Sequence, residues 1–187
     1  MIYMEDKIKK RKLIIPIFII LVMSLSIFSF SLSFIGSNNE RTVDFKGKTF
    51  NLVNGAWKTY LDGKEVVVIN DPSTLSEIDI DGFNLRKYGK VYISKSQSIN
   101  LNNELMALGN IRSILGTSFM DSCFEDVEGC ETLPLKKCSD ATNNIGVIEI
   151  YVNEENIVEN DLNCLIINGN YQFVGEVIDK LVLETLI

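Results

Sequence analysis

Residues 146–187 read GVIEIYVNEENIVENDLNCLIINGNYQFVGEVIDKLVLETLI, and this stretch decides the fold. GVIEIYV at 146–152 and CLIIN at 164–168 are short, apolar and rich in β-branched residues, the composition of buried strands. NEEN begins a turn between them, with Ile157 and Val158 placed to extend a pairing. From about 171 to 186 the period changes. Val174, Val177, Ile178 and Leu181 recur at i, i+3, i+4 and i+7, which lines one face of a closing helix.

Working upstream, VYISK from Val91 is another compact strand. Leu101, Leu105, Leu108, Ile111 and Leu115 keep helical spacing and predict a helix near 101–116. Gly109 and Gly116 weaken its C-terminal half. Residues 43–70, VDFKGKTFNLVNGAWKTYLDGKEVVVIN, read as strands punctuated by Gly47-Lys48, Asn54-Gly55 and Asp62-Gly63. The last two pairs are favoured hairpin turns. Trp57 and Tyr60 are expected to pack on this meander, and Asp71-Pro72 to cap a short helix through Ile78. After residue 90 the order is strand, helix, strand, strand, helix. The expected fold class is therefore α+β: a β-meander, then a two-layer domain with helices on a mixed sheet.

The chain has 187 residues, and its first 36 differ in kind from the rest. KIKKRK at 7–12 is followed by LIIPIFIILVMSLSIFSFSLSFI at 13–35, with no charge. As a helix that run would extend about 34 Å, against a hydrocarbon core of about 30 Å. The basic cluster flanks one side only, so the positive-inside rule keeps residues 1–12 in the cytoplasm as a tail and exports the chain beyond residue 35. A cleaved signal peptide would have a shorter apolar run, although Ser31-Leu32-Ser33 offers a weak cleavage site. Pro16 falls in the first turn, where it costs little. Ser26, Ser29 and Ser33 share a face on which a partner helix could dock, or each hydroxyl bonds back to its own helix. Residues 36–41 form a short stalk, and 42–187 the extracytoplasmic domain. A tail of about a dozen residues holds no output domain, so any signal would pass through another membrane protein.

Cys123, Cys130, Cys138 and Cys164 all fall in the exported part. An even count in an oxidising compartment reads as two disulfides, with three connectivities open. The expected pairing is Cys123–Cys130, which proximity helps across SCFEDVEGC, and Cys138–Cys164, which would tie a loop to the apolar strand LNCLIIN. The spacings show neither paired zinc knuckles nor C-x-x-C.

Much chemistry is excluded. The chain has no histidine, which removes Ser-His-Asp triads, Cys-His dyads and HExxH sites. It contains no P-loop, GxGxxG, GxSxG or SxxK motif, and no N-glycosylation sequon. From residue 36 on, 13 basic and 23 acidic residues leave a formal charge of −10, which disfavours nucleic acid as a partner. Glu77-Ile78-Asp79-Ile80-Asp81-Gly82 echoes the first half of an EF-hand loop, but Tyr88 stands where the bidentate Glu belongs. Glu125, Asp126 and Glu128, with Glu154, Glu155, Glu159 and Asp161, would offer carboxylates to a surface cation, though solvated charge explains them better. No catalytic, cofactor-binding or metal-binding residue is nominated, and no cofactor is expected.

LPLKKC at 133–138, GVIEIYV, NCLIING at 163–169 and the closing amphipathic helix together resemble a pattern in uncharacterised archaeal membrane-anchored proteins. The resemblance covers roughly residues 40–187, with Cys138, Cys164 and Gly169 its most specific positions. It implies placement outside an archaeal cell and brings no activity. The overall plan is also similar to type IV pilins, but KKRKLIIP lacks the small residue and nearby Glu of a pilin processing junction.

Two functions are compatible with this sequence. One is a membrane-anchored interaction or assembly module without catalysis, whose partners are the bilayer through residues 13–35 and another membrane or surface protein. The other is a membrane-tethered hydrolase using paired carboxylates. A hydrolase calls for a pocket of convergent acids with shifted pKa values, whereas a module calls for an apolar patch or an open strand edge.

Overall fold

In the computed structural model, residues 19–24, 41–80, 82–95 and 100–187 are described. The chain divides into Met1–Glu40 and Arg41–Ile187. In the first unit residues 19–24 are helical and exposed, and Ser24 Oγ donates to Leu21 O at 2.9 Å. Ser26, Ser29 and Ser33, and most of the 13–35 span, lie outside the described residues. Among the described residues no helix is long and apolar enough to cross a membrane.

The second unit is α+β. It opens with an antiparallel meander of β1 (Thr42–Phe45), β2 (Lys48–Val53), β3 (Ala56–Leu61) and β4 (Lys64–Val68). Its three turns are two residues long, at Lys46-Gly47, Asn54-Gly55 and Asp62-Gly63, with positive φ at both positions. That backbone matches strand twist and explains the Asn-Gly and Asp-Gly pairs. The first turn sits one residue earlier than Gly47-Lys48. Lys46 takes the left-handed conformation at φ 47°, which a lysine does not advertise in sequence. Asp71-Pro72 do not cap a helix as expected: only a 3-10 turn forms, at Thr74–Glu77, its N-cap is Ser73, and Asp71 Oδ1 accepts from Ser73 N at 3.0 Å in the turn before it.

The remaining strands form one mixed sheet, in the order β6-β5-β7-β9-β8. These are β5 (Lys90–Lys95), β6 (Ser118–Ser122), β7 (Ile145–Val152), β8 (Ile157–Asp161) and β9 (Cys164–Gly169). β5 pairs in parallel with both β6 and β7, and β7 with β9, while β8 runs antiparallel on the edge. Helix α1 (Met106–Leu115) crosses from β5 to β6, and α2 (Tyr171–Leu186) follows β9. β6 was not anticipated, because SFMDS carries no apolar alternation. The helix at 101–116 is also shorter than expected, and at the opposite end. Residues 102–105 are turns, whereas Gly116, at φ 73°, donates to Arg112 O and closes α1 as a left-handed cap.

The layering extends the expected two layers to three. Val91, Ile93, Ile148, Ile150, Leu165 and Ile167 face the helices from the mixed sheet, and all are buried. On the other side the meander covers the helices instead of merely preceding them. Phe50, Trp57, Val66 and Val68 belong to the same continuous core. Lys64 Nζ donates to Ser113 O of α1 at 3.1 Å, Lys46 pairs with Glu184 of α2, and Lys180 Nζ lies 5.6 Å from the Phe45 ring centre. α2 is therefore enclosed on nearly every side, which is why Asp179 and Lys180 are buried with Val177, Ile178 and Leu181. Trp57 packs inward as expected, but Tyr60 is 68% exposed and does not.

Candidate functional site

The loop after β6 covers the outer face of the mixed sheet, where strand alternation places Tyr92, Ser94, Glu149, Tyr151 and Cys164. Cys123 is bonded to Cys130 and Cys138 to Cys164, the expected pairing. The second bridge pins the loop to β9. Ser94 Oγ donates to Lys136 O at 2.5 Å, and the Phe124 ring stacks on Tyr151 at 4.7 Å. Glu149, only 6% exposed, accepts from Cys138 N at 2.5 Å and from Tyr151 Oη at 2.9 Å. Burial pushes the Tyr151 phenol up to about 12, helped by its bond to Glu149 and by the charges of Glu149 and Glu125. A carboxylate buried without a cation is tolerable because both oxygens are hydrogen-bonded.

Cys138, Glu149 and Cys164 form the only group among the described residues whose ligand atoms gather closely enough for a metal, within 4.8 Å. Their two sulfurs are bonded to each other, so the cluster is a bridge with a buried acceptor beside it. Elsewhere the suspected acids do not assemble. Glu125, Asp126 and Glu128 are exposed on the first disulfide loop, and Glu154, Glu155, Glu159 and Asp161 are exposed along the β7–β8 connection and β8. Glu77, Asp79 and Gly82 line an open cavity of about 470 Å³ that also presents Lys87, Lys180 and Glu184. That cavity mixes both signs of charge, unlike a calcium loop. Asp81 lies outside the described residues.

A different cleft, of about 190 Å³, opens where the end of β4 meets the N-terminal ends of both helices. It is lined by Ile69 and Asn70 after β4, Asn103 and Glu104 before α1, and Tyr171, Gln172, Gly175 and Asp179 on α2. Asp179 is 1% exposed. Its Oδ2 accepts from Ile69 N at 2.9 Å, Asn70 N at 2.7 Å and Asn70 Nδ2 at 2.8 Å. No donor among the described residues meets Oδ1. Burial pushes the carboxyl up to about 6, against the pull of the three hydrogen bonds and with a further push from Glu176. Glu104 lies close by: a methyl built on Gly175 would sit 3.6 Å from Glu104 Cγ and 3.4 Å from Asn70 Nδ2. Ile69 and Tyr171 form an exposed rim.

Sequence reasoning missed this cleft. Its signal was an Asp next to Ile178 in a helix with few polar residues, VGEVIDKLVLETLI, where an amphipathic reading assigns it to solvent. Only the meander packed over that helix turns Asp179 inward.

Fold and site together define a small α+β domain with a disulfide-pinned loop and an open-sided cleft lined by Glu104 and Asp179. No protein family, curated protein or solved structure matches this chain.

Proposed function

We propose that this chain is a membrane-anchored extracytoplasmic module that works by binding, through the cleft at the helix N-termini. The observation that carries the reading is the state of Asp179, held by three donors of its own chain on one oxygen while the other has no protein partner among the described residues. A carboxylate so fixed is a preorganised acceptor. Its orientation is fixed by those donors, whereas no hydrogen bond among the described residues fixes Glu104 beside it, so the two are not held as a matched pair. This weighs against the paired-carboxylate hydrolase. The sheet edges weigh against strand addition: β6 and β8 are five residues each, and β8 carries exposed Glu159 and Asp161.

Anchoring rests on the uncharged run at 13–35 and its one-sided basic flank, and export on the two disulfides that consume every cysteine. The test is site-specific photocrosslinking in membranes of the native host, with the probe at Gln172 on the cleft and at Tyr60 on the meander. A partner protein captured from Gln172 but not Tyr60, with the head reachable from outside the intact cell, is the expected outcome. A head labelled only after lysis, or free thiols at the four cysteines, overturns the placement.

A further inference from the structure

We propose that the cleft takes a primary ammonium group of a peptide chain, a lysine side chain or a free N-terminus of the partner. This rests on the reading of the head as a binding module and names what it binds. The lining offers two carboxylates, Glu104 and Asp179, the amide oxygens of Asn103 and Gln172, and the Tyr171 hydroxyl, with no basic side chain. Asp179 is an almost fully buried carboxylate, and no Lys or Arg lies within ion-pair distance of it among the described residues. A buried charge of that kind lacks a counter-charge, and an entering cation supplies one.

Ammonium fits the geometry better than guanidinium. It is a compact head with three N–H donors on a narrow stem, whereas guanidinium is a planar fork needing a wider, coplanar pair of acceptors. Glu104 and Asp179 both line the cleft with Gly175, where the missing side chain provides room: a Cβ there would lie 3.6 Å from Glu104 Cγ. Ile69 and Tyr171 at the rim give the methylenes of a lysine stem apolar contact. The head's charge of −10 steers a basic segment toward the cleft.

The test uses the full chain in non-ionic detergent at pH 7.5. Binding of Nα-acetyl-lysine amide, glycine amide, Nα-acetyl-arginine amide and calcium chloride is followed by amide chemical shifts. Saturable shifts at Asn70, Glu104 and Gly175 are expected with the lysine and glycine amides. Asp179→Asn is expected to weaken both at least tenfold. Gly175→Ala, which fills the cleft without removing any charge, is expected to weaken them similarly in a folded protein. Tighter binding of calcium or the arginine amide overturns the proposal, as does lysine-amide binding that Gly175→Ala leaves unchanged, or no saturation by either amine. If the amines fail while photocrosslinking from Gln172 succeeds, the binding-module reading stands and the ammonium assignment alone falls.

Discussion

Replacing Gly175 by alanine tests the packing around the cleft without reference to any ligand. Gly175 sits within the second turn of α2, with a helical backbone that alanine shares. An alanine Cβ there would meet Asn70 Nδ2 at 3.4 Å and Glu104 Cγ and Cβ at 3.6 and 3.8 Å, ordinary contact distances on side chains that can yield. The helix-propensity gain of about 1 kcal/mol is therefore retained. For a domain near 150 residues this is about 2–4 °C in Tm. Gly169 supplies the contrast. A Cβ there would lie 2.3 Å from Phe173 Cδ1, so the ring must move and Gly169→Ala should destabilise by about 1–3 kcal/mol. Thermal unfolding under non-reducing conditions, with urea titration as a check on the slope, measures both. If Gly175→Ala lowers Tm by as much as Gly169→Ala, the site is tightly packed and the space assigned to the cleft is not there.

Removing the long bridge with Cys138→Ser and Cys164→Ser should cost about 3.5 kcal/mol on chain-entropy grounds, and removing Cys123–Cys130 about 2.5 kcal/mol; urea midpoints for the two double variants give the comparison, and equal losses would contradict the loop-length reasoning. Asp179 predicts an unusual pH profile. Its folded pKa, near 6, lies above the ordinary carboxylate value, so the native state keeps a proton that the unfolded chain has released. Stability should fall as pH rises from about 4 to about 6, by up to about 1.4 kcal/mol per unit, and then level off. Glu104 and Glu176 are the other acids near it, and the chain has no histidine to contribute at the upper end of that window. Asp179→Asn should flatten the profile, and a slope that survives the substitution refutes the assignment. In ultraviolet titration one tyrosine should ionise late, near pH 12, and Glu149→Gln should bring it down toward the ordinary phenol range.

The parts of the fold that were legible in sequence are those whose signals are local. The Asn-Gly and Asp-Gly turns announce their hairpins because both central residues need positive φ. β7, β9 and α2 were legible because a parallel sheet covered on both faces writes continuous apolar runs. β6 was not, since an edge strand such as SFMDS draws its order from pairing with β5 and needs little apolar content of its own. The position of α1 was misjudged because Gly116 was read as a weakness in the helix when it is the cap that ends it. The site was the least legible part. Asp179, Glu104 and Asn70 are joined by three separate segments meeting, and no spacing in the chain records that meeting. Of the disulfides, Cys123–Cys130 had a local signal, a separation of seven residues, whereas Cys138–Cys164 had none beyond being the remaining pair.

The sheet register has a kinetic consequence. Lys90 of β5 pairs with Ile145 of β7, so the central parallel pair forms only after a long intervening segment has been placed. Non-local parallel pairing is slow compared with closing a short loop. Cys123 and Cys130 are seven residues apart and can find each other before the sheet exists, whereas Cys138 meets Cys164 only once β7 and β9 lie side by side. Oxidative maturation should thus pause at a one-bridge species whose remaining thiols flank a half-built sheet. At that stage the head is most exposed to mispairing and most dependent on an isomerase.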